Sequence, residues 1–90
     1  MSKRTENIRI GIMVECYGVR PGSRAAEQIA AYMRRESDPD DATAKEVSIE
    51  AAYLTSKGFL ELASYELSQG EKRWTITAAG IEYMEQQGWV

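Results

Sequence analysis

Few side chains in this sequence are equipped for covalent or acid–base chemistry. There is no histidine, so the commonest general base at neutral pH and the commonest zinc ligand are both missing. The single cysteine, Cys16, has no imidazole to activate it and stands in an apolar run, where it reads as a core thiol. Asp38, Asp40 and Asp41 offer oxygens to a hard cation, but the EF-hand pattern fails. Counted from Asp38, Thr43 occupies the place that needs glycine and Ile49 the place of the closing glutamate. No paired acid and base, phosphate loop or ligand cluster is readable, so we expect no enzymatic activity, no metal and no cofactor.

The chain does offer contact chemistry. Lys45, Ile49, Ala52, Tyr53 and Ser56 recur at helical steps and would share one face of a helix whose opposite stripe is Val47, Ala51 and Leu54. On such a face Lys45 suits a guanine edge, and Ile49 or Ala52 suits a thymine methyl group. No arginine, asparagine or glutamine lies on this segment to make the bidentate contacts that usually confer specificity, and Glu46 and Glu50 would repel phosphates. The same Ile49, Ala52 and Tyr53 surface suits a protein interface equally well. Lys72 and Arg73 flank a turn, where they would meet a phosphate or a minor groove, or simply guard a strand edge. Arg20, Arg24, Arg34 and Arg35 form the largest basic reserve, although Arg34 and Arg35 also suit the negative end of a helix dipole.

These residues need elements to hold them. Residues 7–17 alternate like a strand at Ile8, Ile10, Ile12, Val14 and Cys16, yet Ile8, Ile12 and Cys16 also keep helical spacing. Thr5 as N-cap, Glu6 in the first turn and Gly18 as a stop decide for a helix. After the turn at Arg20-Pro21-Gly22, Ser23 stands as N-cap of a second helix over 24–35, with Ala26, Ile29, Ala30 and Met33 as its apolar stripe. Residues 37–41 break it, and a third helix is expected over 43–57, ended by Gly58. Residues 59–67 and 72–76 read as two strands joined by a turn at 68–71. Thr77 then caps a last helix over 78–87, which Gly88 ends.

Size and charge bound what this arrangement can be. Ninety residues at 43% hydrophobic content fill one core, so residues 1–90 are expected to form a single domain. No apolar stretch approaches the roughly 20 residues of a membrane span, and no signal peptide is readable, so the expectation is a cytoplasmic protein without a membrane partner. Net charge is −3, unevenly placed. Residues 1–36 carry +3 and residues 37–90 carry −6, so a phosphate-facing surface must draw on the first half.

Two local motifs carry a resemblance. Leu54-Thr55-Ser56-Lys57-Gly58-Phe59-Leu60 resembles the end of a winged-helix recognition helix leading into its wing. Trp74-Thr75-Ile76-Thr77-Ala78-Ala79-Gly80 resembles the exit of that wing into the next helix. Across about residues 8–87 the chain is similar to the winged helix-turn-helix superfamily, and within it to short winged-helix proteins of Mu-like prophages. The resemblance implies an α+β fold of three helices, a two-stranded wing and a C-terminal helix. It also implies a regulatory protein that binds double-stranded DNA, with the third helix in the major groove. The alternative is the same fold used for a protein partner. A homodimer is expected, joined through Tyr83, Met84, Trp89 and Val90, because helical regulators recognise paired half-sites.

Overall fold

The computed structural model describes residues 2–63 and 72–90. Helix α1 spans Lys3–Gly18 and is capped by Ser2, whose hydroxyl accepts the Thr5 amide at 3.1 Å. The start therefore falls earlier than the expected Thr5 cap, because Ser2 supplies an equivalent acceptor one turn upstream. The helical choice over strand is visible in burial. Ile8, Ile12, Met13 and Cys16 are buried, whereas Ile10 and Val14, which a strand would place beside Ile8 and Ile12, are only half-buried.

Strand β1 (Arg24–Ala25) comes next, running directly into helix α2 (Ala26–Glu36). Here the expectation needs two corrections. Arg24 is not helical but pairs with Trp74, and Ser23 is not the N-cap. Ala25 takes that place, and with no side-chain acceptor of its own it relies on Gln28, whose Oε1 accepts the Ala25 amide at 2.9 Å. The physical reason lies far along the chain. An otherwise open edge of the sheet recruits the two residues that would have formed the first turn of α2.

Helix α3 (Ala44–Ser56) begins at a reciprocal cap: the Thr43 hydroxyl accepts the Glu46 amide and the Glu46 carboxylate accepts the Thr43 amide, each at 3.2 Å. Gly58 follows with φ +85°, a conformation that costs a side-chain-bearing residue energy, and the chain reverses so that Leu60 returns to the core. Strands β2 (Leu60–Leu62) and β3 (Arg73–Ile76) pair antiparallel with Leu60 opposite Ile76 and Leu62 opposite Trp74. The first strand was expected to reach residue 67. Its residues from 64 onward and the turn at 68–71 lie outside the described residues.

Among the described residues the sheet has three strands in the order β1-β3-β2, not the two expected. Thr77 closes the wing, donating its hydroxyl to the Gly58 carbonyl at 2.6 Å and accepting the Gly80 amide at 3.0 Å. Helix α4 (Ala78–Gln87) starts at that cap. A Cβ on Gly80 would overlap the Phe59 carbonyl oxygen, so only glycine allows α4 to approach the backbone just before β2 this closely. One core joins all four helices to the sheet: Ile12 and Met13 of α1, Ile29 and Met33 of α2, Val47 and Leu54 of α3, Trp74 of β3 and Met84 of α4.

Candidate functional site

Helix α3 packs against α1, α2 and β2, burying Val47, Ala51 and Leu54. Rotation by 100° per residue then forces Lys45, Ile49, Ala52, Tyr53 and Ser56 outward. All five are exposed, Ile49 at 57% and Tyr53 at 37%. The structure thus brings together the whole face read from the sequence.

The two acids of α3 behave differently from what their positions suggest. Arg4 of α1 grips Glu46 with two hydrogen bonds, Nε to Oε2 at 2.7 Å and Nη2 to Oε1 at 2.9 Å, and also holds Asp41 at 2.8 Å. That bidentate bond, opposed by some desolvation and helped by the Thr43 amide, lowers the Glu46 carboxyl to about pKa 2. One turn on, Arg9 holds Glu50 at 2.7 Å, with side chains only 18% and 15% exposed, and its guanidinium lies 3.6 Å from the centroid of the Tyr53 ring. Glu50 is neutralised one to one by Arg9, whereas Glu46 shares Arg4 with Asp41, so that cluster keeps one negative charge. The expected repulsion of phosphate is reduced but not removed. Neither Arg4 nor Arg9 was singled out from the sequence, because each meets its partner more than 40 positions away.

The wing cations divide. Lys72 is exposed. Arg73 instead turns toward β1, donating Nε to the Ser23 hydroxyl at 3.1 Å and Nη2 to the Ser23 carbonyl at 3.2 Å. Ser23 is 6% exposed, and this bridge ties the loop before α2 to the wing. The arginines around α2 are similarly engaged. Arg20 lies over the Tyr17 ring and donates to the Tyr17 carbonyl, and Arg24 pairs with Glu15 at 3.2 Å. Arg34 donates to the Ala42 carbonyl at 2.8 Å and to Glu27 at 3.1 Å, bracing the connector before α3 rather than capping its own helix. Arg35 and Lys45 are exposed, and so is Lys57, whose Nζ stands 5.7 Å from the Tyr53 ring centroid.

Between α1, the end of α3 and α4 runs a groove of about 640 Å³, with Arg9, Tyr53, Lys57, Phe59 and Trp89 in its walls. Tyr83 stacks on Phe59 with centroids 4.4 Å apart and meets Trp89 edge-on at 5.5 Å. Met84 is fully buried. The apolar groups assigned to a dimer contact are thus largely covered by their own chain, and Val90 at 51% exposure is the one left open. Cys16 is also fully buried, and desolvation first, with Glu15 nearby, pushes its thiol up to about 12.

Three helices, a strand pair after the third and a fourth helix returning against the first define a winged helix-turn-helix domain of α+β class. Two solved structures share it. A transcriptional regulator from Clostridium thermocellum superposes with a TM-score of 0.74 at 16% identity, covering 98% of this chain and 84% of that one. A PadR family transcription regulator from hypervirulent Clostridium difficile R20291 gives 0.65 at 21% identity, covering 89% and 85%. No family model and no curated protein matches the sequence. The likeness establishes the winged-helix fold and adds nothing to the resemblance to Mu-like prophage proteins.

Proposed function

We propose that this chain is a DNA-binding transcription regulator, acting in the cytosol as a homodimer on paired half-sites. The observation that carries the reading is the outer face of α3. It is exposed, with only Tyr53 partly covered by Arg9, it presents Lys45, Ile49, Ala52, Tyr53 and Ser56 together, and its acids are drawn back onto α1. In a helix-turn-helix domain that face enters the major groove. Lys72 at the wing reaches a phosphate, and Arg73, Arg20 and Arg24 act chiefly by holding the wing and the start of α2 in place. The two solved relatives described as transcription regulators support the same reading.

Fluorescence titration of a labelled duplex tests it. Wild-type protein is expected to bind, Lys45→Ala to erode preference among sequences, and Lys72→Ala to weaken all sequences alike. Absence of binding to any duplex at low salt would refute the proposal. Sedimentation of the intact chain tests the dimer, and a monomer with and without duplex would end that part. A protein partner is the second reading, favoured by the 57% exposure of Ile49 beside Tyr53. Loss of a bound partner on Ile49→Asp, with duplex binding absent throughout, is the outcome it predicts.

A further inference from the structure

We propose that Ile49 and Ala52 read thymine 5-methyl groups, so that sequence preference rests on apolar contact rather than on hydrogen bonds to purine edges. The inference rests on the DNA-binding reading above and specifies how it discriminates.

Helix α3 carries no arginine, asparagine or glutamine, the side chains that make bidentate contacts to guanine and adenine. A carboxylate accepting from cytosine is the remaining strong polar option, and Glu46 and Glu50 are both taken by Arg4 and Arg9. The hydroxyl protons of Thr55 and Ser56 are occupied, Thr55 Oγ1 donating to the Ala51 carbonyl at 2.8 Å and Ser56 Oγ to the Tyr53 carbonyl at 2.6 Å, which leaves the half-buried Ser48 and the rim of Tyr53 as the hydroxyls still able to reach a base. One face of the Tyr53 ring lies under Arg9. Lys45 is the remaining charge on the helix, a single flexible point charge that suits a phosphate as well as a base.

The centre of the exposed face is therefore apolar. Ile49 is more than half exposed, and Ala52 stands one turn further on. Three helical residues rise about 4.5 Å, close to the roughly 3.4 Å step between base pairs, so the two side chains address neighbouring positions. In the major groove the thymine methyl is the apolar group that base pairs display. Burying one methyl against isoleucine is worth roughly a fourfold change in affinity.

The test uses the full chain. A preferred duplex is selected from a random-sequence pool at low salt, and each thymine in turn is replaced by deoxyuridine, which removes the methyl and keeps every hydrogen-bonding group. The expected result is thymine enrichment at adjacent positions and a roughly fourfold loss of affinity on uracil substitution there. Ile49→Ala should bind thymine and uracil versions alike at the position it contacts, with thermal melting unchanged because Ile49 is outside the core. A selected duplex that tolerates uracil everywhere, or is enriched only in guanine, overturns the apolar reading and leaves DNA binding standing. A pool from which nothing is retained overturns both.

Discussion

Gly80→Ala places the junction between wing and α4 under direct test. An alanine Cβ there would overlap the Phe59 carbonyl oxygen and approach Ile76 Cγ1 to 2.9 Å and the Phe59 carbonyl carbon to 3.1 Å. Two of these three atoms are backbone, and the same carbonyl accepts the Thr77 amide at 3.1 Å, so relief requires moving either β2 or α4. Overpacking of this kind costs about 1–3 kcal/mol, while the better helix propensity of alanine returns at most about 1 kcal/mol. A clash with backbone belongs at the upper end of that range, and the resulting net loss of about 1–2 kcal/mol lowers Tm by roughly 5–15 °C in a domain of this size. Two other glycines calibrate the measurement. Gly18 has nothing near its Cβ position, so Gly18→Ala is expected to be neutral or to raise Tm slightly. At Gly11 the nearest atom is the Met33 Cε, 2.8 Å away at the end of a flexible side chain, so Gly11→Ala falls between the two. Thermal melting by circular dichroism gives the order. A Gly80→Ala protein as stable as Gly18→Ala would refute the close packing of α4 on Phe59 and Ile76.

Three further outcomes follow from the α1–α3 contacts and the core. Glu46 titrates near 2 when folded, below its unfolded value, so the stability it contributes is present above about pH 4.5 and is lost as pH falls toward 2; the Tm difference between wild type and Glu46→Gln should shrink over that range, and a constant difference would contradict it. Arg9→Ala leaves Glu50 unpaired beside the contact face and removes the cover of Tyr53, so we expect a loss of about 1–2 kcal/mol in urea melts and weaker duplex binding, with Glu50→Ala restoring most of the binding. Additive effects in that double-mutant cycle would show that the pair is not coupled. Cys16, fully buried and titrating near 12, should resist a thiol reagent at pH 8 in the native state and react once the chain is unfolded in urea; rapid native reaction would refute its burial.

The features legible in the sequence are those whose cause is local. Thr43 and Thr77 announce their helices because a cap and the amides it satisfies lie within three residues, and Gly58 marks the exit of α3 because the turn itself needs its φ of +85°. The exposed face of α3 follows from the burial of Val47, Ala51 and Leu54 by rotation alone. What the sequence hides is set by distant partners. Arg24 and Ala25 resemble the first residues of a helix, and only β3, some 50 positions later, makes them a strand. Glu46 and Glu50 look like obstacles to phosphate until α1 supplies Arg4 and Arg9. Arg73 reads as a wing-tip cation until Ser23 takes its guanidinium. Met84 looks like an interface residue at the end of the chain, and the return of α4 against α1 buries it instead.

The salt dependence of duplex binding shows whether α3 and the wing meet the phosphate backbone. Titration of a labelled duplex across a series of salt concentrations is predicted to give a falling line of log affinity against log salt, steeper by about 0.9 for each phosphate neutralised. Lys72→Ala should make that line shallower by about 0.9, whereas Arg73→Ala, whose guanidinium is held by Ser23, should lower Tm and leave the slope nearly unchanged. No binding at the lowest salt, or affinity independent of salt, would rule out DNA as the ligand of this domain.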